Sequence, residues 1–163
     1  MNDAHLHMVV NHFPIIGTIL GLGILIASII LRNKTVQNVG YCLFVVAAIF
    51  GAVSMSTGEG AEEIAEKLPE VTHQIIHEHE EMAEKLIIFL YILGVTSIVG
   101  LYFNLKKHSK ASIFSYLVAI ISLATVYLAK ETGTTGGEIR HTEIRNDSGI
   151  QQATSENLNE DKD

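Results

Sequence analysis

The chain has 163 residues, enough for one domain, is 48% hydrophobic and carries a formal net charge of −7. Its 11 basic residues form no stripe, which argues against nucleic acid as a partner, and no Walker A, Rossmann or GxSxG fingerprint occurs. The single Cys42 excludes an intrachain disulfide, and without a CxxCH stretch haem cannot be attached covalently.

The first residues permit two readings. Asp3 can cap a helix through Ala4 to Val10 that kinks at Pro14, or a helix can begin at Pro14 itself. Four long apolar runs dominate the rest. Phe13 to Leu31, Val36 to Met55, Leu86 to Leu105 and Ala111 to Ala129 contain no Asp, Glu, Lys or Arg. About 20 apolar residues are needed to cross a bilayer as a helix, and the runs are continuous rather than alternating. The expectation is an all-α, integral membrane four-helix bundle. Its membrane domain covers residues 1–145, with spans at about 13–31, 37–55, 84–105 and 111–130 and an outer helical loop at 57–83. The first run reads as a span and not a signal peptide, because no Lys or Arg precedes Arg32. Gly17 and Gly21 form a small-xxx-small pair suited to close helix packing, and Cys42 reads as a small packing residue.

Ser56-Thr57-Gly58-Glu59-Gly60 predicts a helix stop and turn, followed by a short acidic helix from Ala61 to Leu68 that Pro69 ends. A new helix is expected near Glu70 or Val71, running on into the third span. The fourth span is expected to end at Lys130-Glu131, with the glycines of 132–137 turning the chain back toward the bundle. Residues 146–163 are polar and acidic and read as a disordered tail.

The short connections Arg32 to Thr35 and Lys106 to Lys110 are basic and hold no acid, whereas all 18 acidic residues lie elsewhere. The positive-inside rule puts these connections in the cytoplasm and both termini outside, which in a Gram-negative inner membrane is the periplasm.

Seven of the eight histidines then fall on the outer side: His5, His7, His12, His73, His77, His79 and His141. Helix phase at about 100° per residue separates those in His77-Glu78-His79. His79 falls on the face of Ile75, Ile76, Met82, Ala83 and Leu86, looking into the bundle. His73 and His77 share the polar side with Glu80, Glu81 and Glu84. His73-Gln74-Ile75-Ile76-His77 has the spacing of a zinc-protease motif but Gln in place of the general base. Two metal readings follow. In the first, His12 and His79 are the axial pair of a non-covalent b-type haem. His7 and His141 stand in reserve, Gly136 and Gly137 allow close backbone approach, and Arg140 and Arg145 face the propionates. In the second, His7, His12, His77, His79 and His141, with Glu81 or Glu138, bind copper, iron or zinc. Proton-linked transport, sensing, or a structural subunit of a larger complex are further readings, as are histidines that only bond headgroups and helix ends.

His7-Met8-Val9-Val10-Asn11-His12-Phe13-Pro14-Ile15 resembles the HPxxVHFPI opening of a family of bacterial inner-membrane proteins catalogued as a domain of unknown function. Gly136-Gly137-Glu138-Ile139-Arg140-His141 is similar to that family's GGxxxxHG ending. The resemblance covers roughly residues 5–143. It departs at Met8, where the family has Pro, and at His141, one position nearer the glycines with no Gly after it. The likeness implies a four-helix membrane protein. Because family members occur fused ahead of c-type cytochromes, it also implies a redox role. The function expected is electron transfer with a quinone or a periplasmic cytochrome, by a carrier or binding protein rather than a stand-alone enzyme.

Overall fold

Asn2 starts the first helix by accepting a hydrogen bond from the His5 N–H at 3.0 Å. In the computed structural model, which describes residues 2–145, α1 runs Asp3–Val10 and α2 His12–Ile30. The interruption lies at Asn11, ahead of Pro14. Proline has no N–H to give and its ring collides with the carbonyl four residues earlier, here Val10. The ladder therefore parts just after Val10, and Pro14 sits in the first turn of α2, where it is tolerated.

Three longer helices follow: α3 (Lys34–Ala65), α4 (His73–Leu105) and α5 (Ala111–Arg140). Asn33 caps α3 by accepting from Thr35 and Val36 N–H, and Thr72 caps α4 by accepting from Ile75 N–H. A single 3₁₀ turn, Thr142–Ile144, closes the described chain. The polar tail expected at 146–163 lies outside the described residues.

Two expected turns are helix instead. Ser56 to Gly60 lies inside α3, and Thr132 to Gly137 lies inside α5. An interior glycine costs about 1 kcal/mol relative to alanine, but close neighbours hold some of these in place. A Cβ on Gly60 would sit 2.6 Å from Asp3 Oδ2, and one on Gly136 would sit 2.9 Å from His79 Cε1. Those two glycines are places where helices touch. The outer loop expected at 57–83 is therefore the projecting ends of α3 and α4, joined by a short turn through Pro69 and a left-handed Glu70 at φ 70°.

The four long helices run up and down in order, α2 packing on α3 and α5, and α4 on α3 and α5, while α1 lies along the projecting part of α3. Each helix buries one stripe at three- and four-residue spacing. The stripes are Pro14-Thr18-Gly21-Leu25-Ser28, Gln37-Tyr41-Phe44-Ala47-Gly51, Leu86-Leu90-Leu93-Ser97-Gly100 and Ala111-Ser115-Val118-Ser122-Thr125-Ala129. Small residues let the helices approach; Gly21 faces the Phe44 ring, where a Cβ would be 2.6 Å away.

Polarity is inverted relative to a water-soluble protein. Thr18, Ser97, Ser122 and Thr125 are fully buried, while Ile30, Leu105 and Ile113 are about three-quarters exposed at 74%, 73% and 75%. Leaving an aliphatic side chain in water forfeits about 1.5–3 kcal/mol, and large apolar side chains cover the outside of all four long helices. Lipid removes that penalty. The four helices are long and apolar enough to cross a membrane, and the chain is a multi-pass membrane protein by this architecture.

The basic connections share one solution. Arg32 and Lys107 adopt left-handed φ of 51° and 52°. Asn33 N–H bonds Ser28 O and His108 N–H bonds Phe103 O, closing Schellman-type ends. A cation beside the exposed carbonyls of a helix end is favourable, which partly offsets the cost of a non-glycine residue there.

Candidate functional site

The inward stripes continue past the apolar core at the end of the bundle away from the basic connections. Stepping back from Pro14 by four and three residues leads to Val10 and His7. From Gly51, α3 leads to Ser54 and Thr57. From Leu86, α4 leads back to His79, and from Ala129, α5 leads on to Thr132, Thr135 and Gly136. Four helices thus bring two imidazoles and several hydroxyls to one mouth.

His7 is half-buried. Its Nδ1 lies 3.1 Å from Ser54 O and 3.1 Å from Thr57 Oγ1. The Thr57 hydroxyl donates to Ser54 O at 2.9 Å, so both atoms facing the ring act as acceptors. Nδ1 therefore carries the proton, and the neutral ring keeps its lone pair on Nε2. His79 is held by a hydroxyl alone. Its Nδ1 is 3.1 Å from Thr135 Oγ1, and that hydroxyl donates to Thr132 O at 3.1 Å. Thr132 donates in turn to Met82 O at 3.1 Å, fastening α5 to α4 beside the ring. A metal-ligating imidazole is commonly oriented in this way, with Nδ1–H given to a fixed acceptor and Nε2 left free. One turn after His7, Asn11 holds a buried Oδ1 without a partner among the described residues.

The wider set of candidates is not gathered here. His12 is exposed, its Nδ1 donating to Met8 O at 2.9 Å. It lies about 160° around α2 from Pro14, at about 100° per residue, and so points away from the buried stripe. His12 therefore does not face His79, and the histidine that shares the mouth with His79 is His7. His77 is exposed between Glu80 and Glu81, at 3.8 and 3.5 Å. His141 is exposed and pairs with Glu143 at 3.0 Å. Hydrogen bonds from its own backbone N–H and from His141 hold the Glu143 carboxyl below the usual range. Among the described residues no three His, Cys, Asp or Glu side chains come together to hold an ion, and of His7, His12, His77, His79, His141 and Glu81 only His7 and His79 lie at the inner mouth.

The glycines and arginines also differ from expectation. Gly136 gives its close approach to the His79 ring. A Cβ on Gly137 would meet Ile144 Cδ1 at 3.1 Å. Arg140 is exposed at the end of α5. Arg145 donates to the carbonyls of Glu138, Ile139 and Glu70, tying the end of α5 to the α3–α4 turn rather than facing a ligand. Thr57, Thr132 and Thr135 were not among the sequence candidates, although the spacing of the stripes points to them.

Compared with known proteins, the chain matches no family model, no curated sequence and no solved structure.

Proposed function

We propose that this protein is a membrane-bound electron carrier holding a b-type haem non-covalently between His7 and His79. The observation that carries the reading is that each Nδ1 is engaged by oxygen atoms of a neighbouring helix, which leaves both Nε2 atoms free at one mouth. Two imidazoles are what axial ligation of haem requires from the protein. A closed zinc site takes four ligands, twice what this pair supplies. When bound, haem would supply one-electron exchange. The chain's own part is to present both imidazoles neutral, in fixed orientation, against the low-dielectric end of the bundle.

The basic connections support a topology with this mouth on the periplasmic side of a bacterial inner membrane. The exchange partner would then be a quinone in the bilayer or a periplasmic cytochrome.

The test is optical. The full chain, purified in mild detergent after expression with added haem precursor, should show a Soret band and sharpened visible bands on reduction. Absence of a Soret band, also after reconstitution with haem, refutes the carrier. Stoichiometric copper or iron retained without a Soret band would instead assign the same two lone pairs to a bare ion completed by solvent ligands.

A further inference from the structure

At the opposite end of the bundle a second polar group has no role in the histidine site. Lys34 Nζ donates to Gln37 Oε1 at 2.9 Å and to Ser112 Oγ at 3.3 Å. Asn104 Nδ2 donates to the same Gln37 Oε1 at 3.0 Å and to Asn38 Oδ1 at 2.8 Å. This knot links α3, α4 and α5 just inside the basic connections. Above it the α3–α4 seam carries Tyr41 on one side and Ser97, Gly100 and Asn104 on the other, the last three at three- and four-residue spacing on one face of α4. The Tyr41 ring lies against Gly100, where a Cβ would be 2.7 Å from Cζ and 3.1 Å from the hydroxyl oxygen.

Tyr41 and Ser97 are both fully buried. Neither hydroxyl, nor Asn104 Oδ1, has a hydrogen-bond partner among the described protein groups. Elsewhere in the bundle the buried hydroxyls close on carbonyls, as Thr18 does on Pro14, Ser122 on Ala119 and Thr125 on Ile121. Burying a polar group without a partner costs about 1–3 kcal/mol, and here two hydroxyls and an amide oxygen share one seam. Buried polar atoms of this kind are commonly served by water making two to four hydrogen bonds. Asn104 Oδ1 accepts, while the two hydroxyls both donate and accept.

We infer that this seam binds water, a short file running from the Lys34–Gln37–Asn104 knot past Tyr41 to Ser97. The file ends there, because the next buried hydroxyls toward the other mouth are committed to carbonyls of their own helices. The basic end of the bundle is thus hydrated to about its middle, independently of what the histidines bind.

The test uses the full chain in nanodiscs and infrared spectra recorded in ordinary water and in water labelled with ¹⁸O. Internal water should give an O–H stretching band that shifts on labelling, is lost in the Tyr41→Phe/Ser97→Ala variant and survives in Ser122→Ala, whose hydroxyl is already paired. Melting curves give a second readout. Tyr41→Phe removes a hydroxyl and nothing else, so it should lower the Tm if that hydroxyl is bonded to water and raise it if the hydroxyl is dry. A raised Tm, no isotope-sensitive band, or a band unchanged in the double variant overturns the inference.

Discussion

His79 and Thr135 are bound side chain to side chain across the α4–α5 interface, Nδ1 to Oγ1 at 3.1 Å. With the threonine hydroxyl donating to Thr132 O, the imidazole donates to it, and the orientation of Nε2 then follows from a residue 56 positions away in the chain. Thr135→Val, nearly isosteric, leaves the helix intact and removes that acceptor. Loss of such an outer partner typically weakens metal-group affinity about 10–100-fold. Titration of purified protein with haem should show that loss. Thr57→Val should weaken binding less, since His7 retains Ser54 O as an acceptor at 3.1 Å. Equal affinity in wild type and Thr135→Val would mean that the hydroxyl does not orient the ring.

The choice between His7 and His12 gives a sharper test. His7→Ala and His79→Ala should each abolish the Soret band while leaving expression and helicity unchanged. His12→Ala should leave it in place, because its ring is exposed and bonded only to Met8 O. A spectrum lost in His12→Ala and retained in His7→Ala would reverse the assignment.

The four spans were legible because charge is excluded from four runs of the length a bilayer requires, and helix phase also distinguished His79 from His77. The inward position of His7 was hidden for a physical reason. Depth along the chain favoured His12, which lies next to the first apolar run, and the parting of the ladder after Val10 concealed which face α1 presents. The information was present in a different form: the stripe Ser28-Leu25-Gly21-Thr18-Pro14, carried backwards by threes and fours, passes Val10 and His7 and misses His12. Gly58, Gly60, Gly133, Gly136 and Gly137 misled for the opposite reason. Local propensity marks glycine as a breaker, yet all five lie within helices, and at Gly60 and Gly136 the missing Cβ lets Asp3 and His79 come close.

On the proposed haem ligation, protons would compete with iron for Nε2. An ordinary imidazole titrates near pH 6.5, and a ligand must be neutral to bind. Haem affinity should therefore be flat above that range and fall as pH drops below it, with the steepness of two protons rather than one if His7 and His79 both ligate, as proposed. Spectral titration from pH 8 downward, in buffers of about 8 to 4 pH, measures the slope. A one-proton slope would leave only one histidine as a ligand.

At the other end, Lys107 holds a left-handed φ of 52°, which glycine adopts without steric penalty. Lys107→Gly should raise stability by up to about 1 kcal/mol, read as a higher Tm in detergent. The gain is limited because the substitution also removes a cation from the carbonyl end of α4. A lowered Tm would show that charge, not backbone strain, dominates this turn.

Gly136 separates packing at the site from helix propensity. Alanine is the better helix former by about 1 kcal/mol, so on propensity alone Gly133→Ala and Gly136→Ala should both stabilise α5. Their surroundings differ. A Cβ at Gly133 would meet only Ile15 Cδ1, at an ordinary 3.6 Å, whereas one at Gly136 would lie 2.9 Å from His79 Cε1 and 3.3 Å from Nδ1. The His79 ring cannot retreat without breaking its bond to Thr135, and overpacking a fitted interior costs about 1–3 kcal/mol. Gly133→Ala should therefore raise the Tm and leave the Soret band unchanged, while Gly136→Ala should lower the Tm and remove or shift the band. Adding Thr135→Val to Gly136→Ala should cost little more affinity, since both act on the orientation of one imidazole and their effects should not add. Full additivity of the two losses would show that Gly136 and Thr135 act on separate features, and that His79 is not the residue they share.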